Sequence, residues 1–472
     1  MKPELIEALG RIVGPRWLRH RRAELATYTM DGLPTRESYP GVVVMPKTAG
    51  EVREVVRLLH LVDVPFVARG AGTGLSGGAV ADPDAVLIAL GRMNRILQVD
   101  PCRRRARVEP GVVNARLSEA TAPHGLQYVP DPSSQAACTV GGNVAENAGG
   151  PHCLKYGVTT NHIVELEVVL PDGSTTRLGS RQGEPWGPDL VGLFVGSEGM
   201  FGIATEITVR LEPLPESVRT MLADFSTVRA ASQAVSAIIA AGIVPAALEM
   251  MDRACVAAVE ASIYAAGYPT DAAAVLLVEL DGQTDAVEAE AKTVVSLLHE
   301  RGARTVRSAS TPADRARLWQ GRKKAFGAMG RIAPDLAVQD AVVPRSALPD
   351  IMDRIEEIRL SYGLTISNVF HAGDGNLHPN ISFDRRDPNV AGRVHDACRD
   401  IMAACVAAGG SITGEHGVGS DKIDYMPSIF DAETLGAMRA VRRVFDPAER
   451  ANPGKVIPLH ACREWRAARG GR

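Results

Sequence analysis

From Gly41 onward the chain alternates short apolar runs with longer stretches whose apolar residues recur every three or four positions. Val42–Met45 has the length of a buried strand, and Thr48-Ala-Gly-Glu51 has the form of a capping box. Val52, Val55, Val56 and Leu59 follow at helical spacing, and Val64–Ala68 is a second strand that runs into Arg69-Gly-Ala-Gly-Thr-Gly74. Val86–Leu90 and Ile96–Val99 predict further strands, and this mixed pattern continues to about Pro215. The first 40 residues read as Arg-rich helices followed by a loop. Beyond Pro213-Leu-Pro215 the helices lengthen. Met221–Phe225 predicts a strand, Val228–Ala241 a helix with Ala231, Val235, Ile238 and Ile239 inward, Ala274–Leu280 a strand and Asp285–Arg301 a helix. That is the rhythm of a split βαβ unit, which builds an antiparallel sheet with helices on one face, and it recurs from Arg345 to Ala408. The expected fold class is α+β, divided into a helical segment over 1–38, domains over 39–216 and 217–458, and a tail over 459–472.

At 472 residues the chain is too long for one ordinary core, and 45% hydrophobic with 23% charged residues is normal globular composition. A net charge of −3 excludes nucleic-acid binding driven by bulk positive charge. The seven cysteines (Cys102, Cys138, Cys153, Cys255, Cys398, Cys405, Cys462) are scattered, with no C-x-x-C. A disulfide framework, a zinc ribbon and an iron–sulfur cluster are therefore not expected. Glu4 and Glu7 interrupt the amino-terminal stretch, which is not a secretory signal. The most apolar stretch, Ala234–Leu248, contains Ser236, Gly242 and Pro245 and is shorter than a membrane span. The expected location is cytoplasmic, with peripheral attachment to a membrane only through an electron-accepting partner.

Glycine changes the picture. Of 46 glycines, five fall within Gly70–Gly78, and others cluster at Gly141–Gly157, Gly196–Gly202, Gly373–Gly375 and Gly409–Gly419. Gly70-Ala-Gly72-Thr-Gly74 keeps side chains away from consecutive backbone N–H groups, which suits a nest for a pyrophosphate. It is not a Rossmann turn, because Leu75-Ser-Gly-Gly-Ala-Val80 is too glycine-rich to open a helix. Asp131-Pro-Ser-Ser134, Thr139-Val-Gly-Gly-Asn143, Asn147-Ala-Gly-Gly150, Lys155-Tyr-Gly-Val158 and Val195-Gly-Ser-Glu-Gly-Met-Phe-Gly-Ile203 follow in order. With this set the chain closely resembles the flavin-binding domain of the vanillyl-alcohol oxidase/p-cresol methylhydroxylase (PCMH) superfamily, over roughly residues 39 to 216 and on into the cap. The resemblance implies a two-part FAD-binding domain with an antiparallel-sheet cap. It implies flavin contacts at Arg69, Gly70, Gly72, Thr73, Gly74, Pro132, Ser133, Thr139, Gly142, Asn143, Gly157 and Ile203. No His lies in Arg69–Val80, and Cys138 and Cys153 are the nearest thiols, so the FAD is expected to be non-covalent.

The second constellation is Asn368-Val-Phe-His371-Ala-Gly-Asp-Gly-Asn-Leu-His378-Pro-Asn380. Ile366–Phe370 and Leu377–Phe383 read as strands about a Gly373–Asn376 turn. That register sets His371 opposite His378, on one face with Asn380, with Cβ atoms about 5 Å apart. Thr413-Gly-Glu415-His416-Gly-Val-Gly419 offers a further carboxylate and imidazole. Two His and one Glu with open positions make a catalytic donor set, whose softness does not separate zinc or manganese, the expected ions, from iron. These motifs resemble the cap of the glycolate oxidase flavoprotein subunit, D-lactate dehydrogenase and D-2-hydroxyglutarate dehydrogenase group. So do Leu318-Trp-Gln-Gly-Arg-Lys-Lys-Ala325, Gly330–Asp335, Val342–Arg345 and Asn452-Pro-Gly-Lys455. The resemblance implies a metal on His371, His378 and Glu415, His416 as general base, and a Lys455 that returns towards the flavin. Arg322 is the candidate for a substrate carboxylate, although Arg315, Arg317, Lys323 and Lys324 beside it also fit a solvated face. Asn380 is the remaining catalytic candidate.

The expected reaction is oxidation of a small 2-hydroxy acid, glycolate or D-lactate, with hydride transfer to flavin. The resemblance also implies that D-2-hydroxyglutarate dehydrogenases carry a basic residue for the second carboxylate where this chain has Ala337–Asp340, which supplies none and so disfavours D-2-hydroxyglutarate. Two other classes remain open: a flavin transferase of the alkyl-dihydroxyacetone-phosphate synthase type, and a subunit that only relays electrons. The electron acceptor is a partner protein such as an iron–sulfur subunit, a quinone or a cytochrome, and a homodimer is compatible with the chain.

Overall fold

The computed structural model describes residues 1–180 and 187–458; the expected tail over 459–472, with Cys462, lies outside the described residues. The chain divides into two compact units. The first comprises Met1–Gly149, Val158–Leu214 and the segment from Glu415 onward, and the second comprises Gly150–Gly157 and Pro215–Gly414. No helix among the described residues is long and apolar enough to cross a membrane.

The first unit holds two sheets. One has the order Leu18–Arg19, Val42–Val44, Val86–Ala89, Phe66–Arg69, and its inner pairs are parallel. Here the amino-terminal segment is more than helix. Pro3–Val13 is helical, but Leu18 and Arg19 pair antiparallel with Val44 and Val43. Two residues are too few to show alternation in a sequence, so this edge strand left no periodic signal. The helix Ala49–Leu61 starts as its sequence requires, with Thr48 Oγ1 accepting from the Glu51 N–H. Val52, Val55, Val56 and Leu59 face Phe66, Val86 and Ile88 in one core. The second sheet is antiparallel, in the order Ile96–Asp100, Arg105–Val108, Ile203–Arg210, Ile163–Val169, Thr175–Gly179. The carboxy-terminal segment rejoins this unit beside the first glycine loop: the Phe66 N–H donates to Arg450 O at 3.0 Å, and the Asn452 N–H donates to Phe66 O at 2.8 Å.

The second unit is built on one antiparallel sheet. Its order is Ala303–Ser308, Ser217–Phe225, Ala274–Gly282, Ala247–Asp252, Thr365–His371, Asn376–Leu377, Ala341–Val342. Pro379–Phe383 also pairs with Thr365–His371, and Asp335–Val338 pairs with Pro379–Phe383. Leu222, Met251, Val275, Leu277 and Val369 pack against Val256, Val259, Leu318 and Trp319 of the helices Arg253–Glu260 and Pro312–Lys323.

A buried carboxylate ties this unit together. Glu279 accepts from Arg315 Nε at 2.9 Å and Nη2 at 2.7 Å, from Trp319 Nε1 at 2.6 Å and from Thr220 Oγ1 at 2.5 Å. His152 Nε2, on the Gly150–Gly157 segment, lies 3.3 Å away. Burial pushes the Glu279 carboxyl up, but the His152 and Arg315 contacts outweigh it and hold the group well below the usual carboxylate range. A depressed carboxylate contributes stability above its unfolded value of 4.5, and that contribution is lost as the pH falls. Glu279→Gln is therefore expected to lower stability by about 3–5 kcal/mol near neutral pH. In thermal melts the gap from wild type should narrow as the pH drops below the ordinary carboxylate range, and a gap that widens in acid would contradict the assignment.

Candidate functional site

In the first unit the strand Phe66–Arg69 delivers the chain into the Gly70–Gly74 loop. Arg69 is buried and turns back beneath that loop, where a side chain at Gly72 would strike its guanidinium. Its Nη1 donates to Ala79 O at 3.4 Å, so Arg69 braces both ends of the glycine run. A Cβ at Gly70 would meet Thr139 Oγ1, which places the second motif directly against the first. Thr139 caps the helix Val140–Glu146 by accepting from the Gly142 N–H at 3.2 Å. Open space lies over Gly74, and the buried hydroxyls of Ser76 and Ser197 have no hydrogen-bond partner among the described residues. An open glycine turn suits the close approach of a phosphate-bearing ligand, and Ser76, two residues beyond Gly74, adds an orphaned hydroxyl to the same segment.

The other expected contacts divide. Pro132 and Ser133 sit in a turn closed by the Gln135 N–H donating to Pro132 O, with Ser133 exposed. Asn143 is buried and accepts from Asn114 Nδ2 at 3.0 Å, while its own Nδ2 points at Cys138 Sγ, so its amide organises the loop from behind. The Ile203 side chain is in the core beside Phe66 and Val169, so it is not available to a ligand. Gly157 closes the Gly150–Gly157 excursion and belongs to the second unit. Burial pushes the Cys138 thiol up, and it is engaged with Asn143, which makes it a poor nucleophile towards a flavin.

Lys455 donates from Nζ to Gly77 O at 2.8 Å and Val80 O at 3.1 Å, so the carboxy-terminal segment holds the far end of the first glycine loop. Burial, with Arg36 next, lowers its ammonium to about 8. Beside it, Asn452 Nδ2 donates to Gly78 O and Glu198 O, and the Glu198 carboxylate accepts the Val418 and Gly419 N–H groups at 2.7 and 2.8 Å. The loop that follows His416 is thus fixed within the first unit. Glu198 and Asn452 were not anticipated, although an acid inside Gly-Ser-Glu-Gly was the available signal. His416 Nε2 lies 3.9 Å from Glu415 Oε1, beyond hydrogen-bonding distance.

In the second unit the hairpin forms, but with its turn one residue earlier than expected. His371 pairs with Asn376, Asn368 with Pro379 and Ser367 with Asn380, so the turn is Ala372–Gly375. Gly375 has φ +79°, which suits the last turn position, and Asp374 Oδ1 accepts the Asn376 N–H at 3.0 Å. His371 and His378 are therefore diagonal rather than directly opposed. Moving a turn by one residue shifts pairing by two, so each side chain keeps its face. The two buried imidazoles meet edge to face, with centroids 5.2 Å apart. Asn380 is fully buried on that face, its Nδ2 donating to Ser367 O at 3.4 Å and His378 O at 2.5 Å, with Oδ1 lacking a partner among the described residues.

Two acids surround this pair. Glu249 sits directly opposite His371 on the neighbouring strand, and Glu249 Oε1 lies 2.7 Å from His371 Nδ1. Asp340 accepts from Thr413 Oγ1 at 2.6 Å and from the Gly414 N–H at 3.0 Å. Gly414 itself packs on Asn376 so closely that a Cβ there would lie 2.6 Å from its amide. Arg322 is not on a solvated face. It is fully buried, with Nη2 2.5 Å from Glu249 Oε2, while Nε and Nη1 have no hydrogen-bond partner among the described residues. Arg315 of the same helix turns inward to Glu279, whereas Arg317 and Lys324 are exposed. Sequence reasoning missed Glu249 and the role of Asp340. The strand Ala247–Asp252 has no β-branched residue, and a lone acid in an apolar run was its one signal.

Residues 40–179 match the FAD binding domain model, and residues 214–456 match the model of the C-terminal domain of FAD linked oxidases. The chain is 48% identical to the glycolate oxidase subunit GlcD of Escherichia coli K12, over 95% of this chain and 90% of that protein. It is 33% identical to a D-lactate dehydrogenase of Anaerostipes hadrus, over 88% and 89%. A crystal structure of p-cresol methylhydroxylase shares the fold, with a TM-score of 0.83 at 18% identity, covering 97% of each chain.

Proposed function

The chain belongs to the FAD-linked oxidases, an oxidoreductase family, and from that premise we propose that it oxidises a small 2-hydroxy acid, glycolate or D-lactate, to the 2-oxo acid. The observation that carries the reading is the buried His371–His378 pair, flanked by acids and by a half-satisfied arginine. The relatives named for glycolate and D-lactate support the substrate class.

FAD, bound without a covalent link, would lie along Gly70–Gly74 and the Thr139–Gly142 turn, and it supplies the hydride acceptor. His371 and His378, with Glu415 as the third donor, would hold a divalent metal, which when bound would supply Lewis-acid polarisation of the substrate hydroxyl. Glu415 follows directly on Gly414, which Asp340 fixes beside Asn376, so its Cα is only about 3.8 Å along the chain from that anchored residue. His416 takes the hydroxyl proton, a task suited to a neutral imidazole near pH 7. Arg322 receives the substrate carboxylate. A permanently charged, buried guanidinium with two nitrogens unpartnered among the described residues favours an anionic partner. Asn380, through Oδ1, orients the substrate.

The stretch Ala337–Asp340 contributes a buried acid where a second carboxylate would need a cation, which argues for one carboxylate rather than two. Electrons leave to an acceptor outside this chain: a quinone, a cytochrome or an iron–sulfur subunit. The word "subunit" in the name of the Escherichia coli relative favours a protein partner. The test is anaerobic flavin bleaching with a substrate panel. Glycolate or D-lactate should bleach the flavin fastest, and fastest bleaching by D-2-hydroxyglutarate would overturn the size argument.

A further inference from the structure

We infer that Glu249 is a positioning residue for the metal site, holding His371 in the tautomer that keeps its lone pair on Nε2. The inference rests on the metal reading above. Glu249 is fully buried in the strand Ala247–Asp252, between Leu248 and Met250. A lone carboxylate there is unfavourable for folding, and an apolar residue would serve the sheet better. What the acid gains is a cross-strand partner. Glu249 and His371 are directly opposed in register, so their side chains share a face.

The contacts settle where the imidazole proton sits. Glu249 Oε1 is 2.7 Å from His371 Nδ1, a distance at which a carboxylate and a ring nitrogen need a proton between them. Arg322 Nη2 lies 3.5 Å from the same nitrogen, at the outer limit for a donated hydrogen bond, so the much shorter contact to Glu249 decides. Nδ1 therefore carries the hydrogen and donates it to Glu249, and the lone pair remains on Nε2. On the far side, Arg322 Nη2 stands 2.5 Å from Glu249 Oε2, and all three side chains are nearly or wholly enclosed. The guanidinium at its back holds Glu249 aimed at His371. A carboxylate on the outer nitrogen of a ligating histidine fixes ring orientation and raises its basicity towards a metal. Arg322 thereby gains a second task beside the substrate carboxylate, using a different nitrogen for each.

The test measures metal binding rather than turnover. Holoprotein stripped of metal by a chelator and still carrying FAD is titrated with Co²⁺, followed by its visible spectrum, and then with competing Zn²⁺. Glu249→Gln should keep one FAD per chain and bind Co²⁺ about 10- to 100-fold more weakly, with an altered spectrum. Glu249→Asp, which keeps a charge for Arg322 but withdraws it by one methylene, should recover part of the affinity. It also carries the test should the Gln variant fail to fold. Unchanged Co²⁺ affinity and spectrum in the variants, even with a lowered melting temperature, would make Glu249 a structural residue and overturn the inference. Wild type that binds no stoichiometric Co²⁺ or Zn²⁺ would overturn the metal reading and this inference together.

Discussion

His416→Asn is expected to slow flavin reduction by a factor of about 10² to 10⁴ while leaving flavin and metal bound. The substrate must lose a proton from oxygen and a hydride from carbon, and only the first requires a protein base. Asn keeps polarity and size but cannot take a proton, so the variant isolates that step. The loop after His416 is held independently of its imidazole, through the Val418 and Gly419 N–H groups on Glu198 and the Ser420 and Asp421 N–H groups on Ser76 O. The substitution should therefore leave the loop in place. Stopped-flow reduction under anaerobic conditions, with flavin and metal content measured on the same sample, reads the result. An unslowed variant would remove His416 from the reaction.

His378→Ala is expected to abolish metal retention and to lower the rate of flavin bleaching by more than about 100-fold, since losing a ligand costs more than losing its outer partner. His378 lies beyond the turn and packs edge to face on His371, while Phe326 stands 6.4 Å away, tilted against it. Removing it opens the donor set without touching Glu249 or Arg322, whose ion pair lies on the His371 side. The Gly70–Gly74 and Thr139–Gly142 loops belong to the other compact unit, so flavin content should stay at the wild-type level. Metal analysis beside the absorbance spectrum decides the case. A variant that keeps both metal and rate would exclude His378 as a ligand.

Much of this was legible in the residue pattern, and what was not has physical reasons. The strands and helix leading to the glycine loop could be read because Val42–Val44, Ala49–Leu61 and Phe66–Arg69 each obey one period and end at strong punctuation. The histidine face survived a wrong turn position because strand parity repeats every two residues. Glu249 stayed hidden because its partners come from Thr365–His371 and Pro312–Lys323, more than 60 residues away in sequence, and no local period records such pairings. Charge counting suggested a solvated face for Arg322, and only packing separates it from exposed Arg317 on the same helix. Asn143 and Ile203 belong to motifs that surround a flavin, but motif membership does not say which atoms turn outward. In the structure one side chain braces the loop and the other fills the core.

A single-turnover reaction of the holoprotein with glycolate or D-lactate, without oxygen or any acceptor, tests the central claim most directly. Flavin bleaching and 2-oxo acid are measured together. The account predicts full bleaching with about one 2-oxo acid formed per flavin. Bleaching by neither acid, with no oxo acid formed and the flavin spectrum unchanged, would contradict 2-hydroxy-acid oxidation and favour a transferase or an electron-relay subunit.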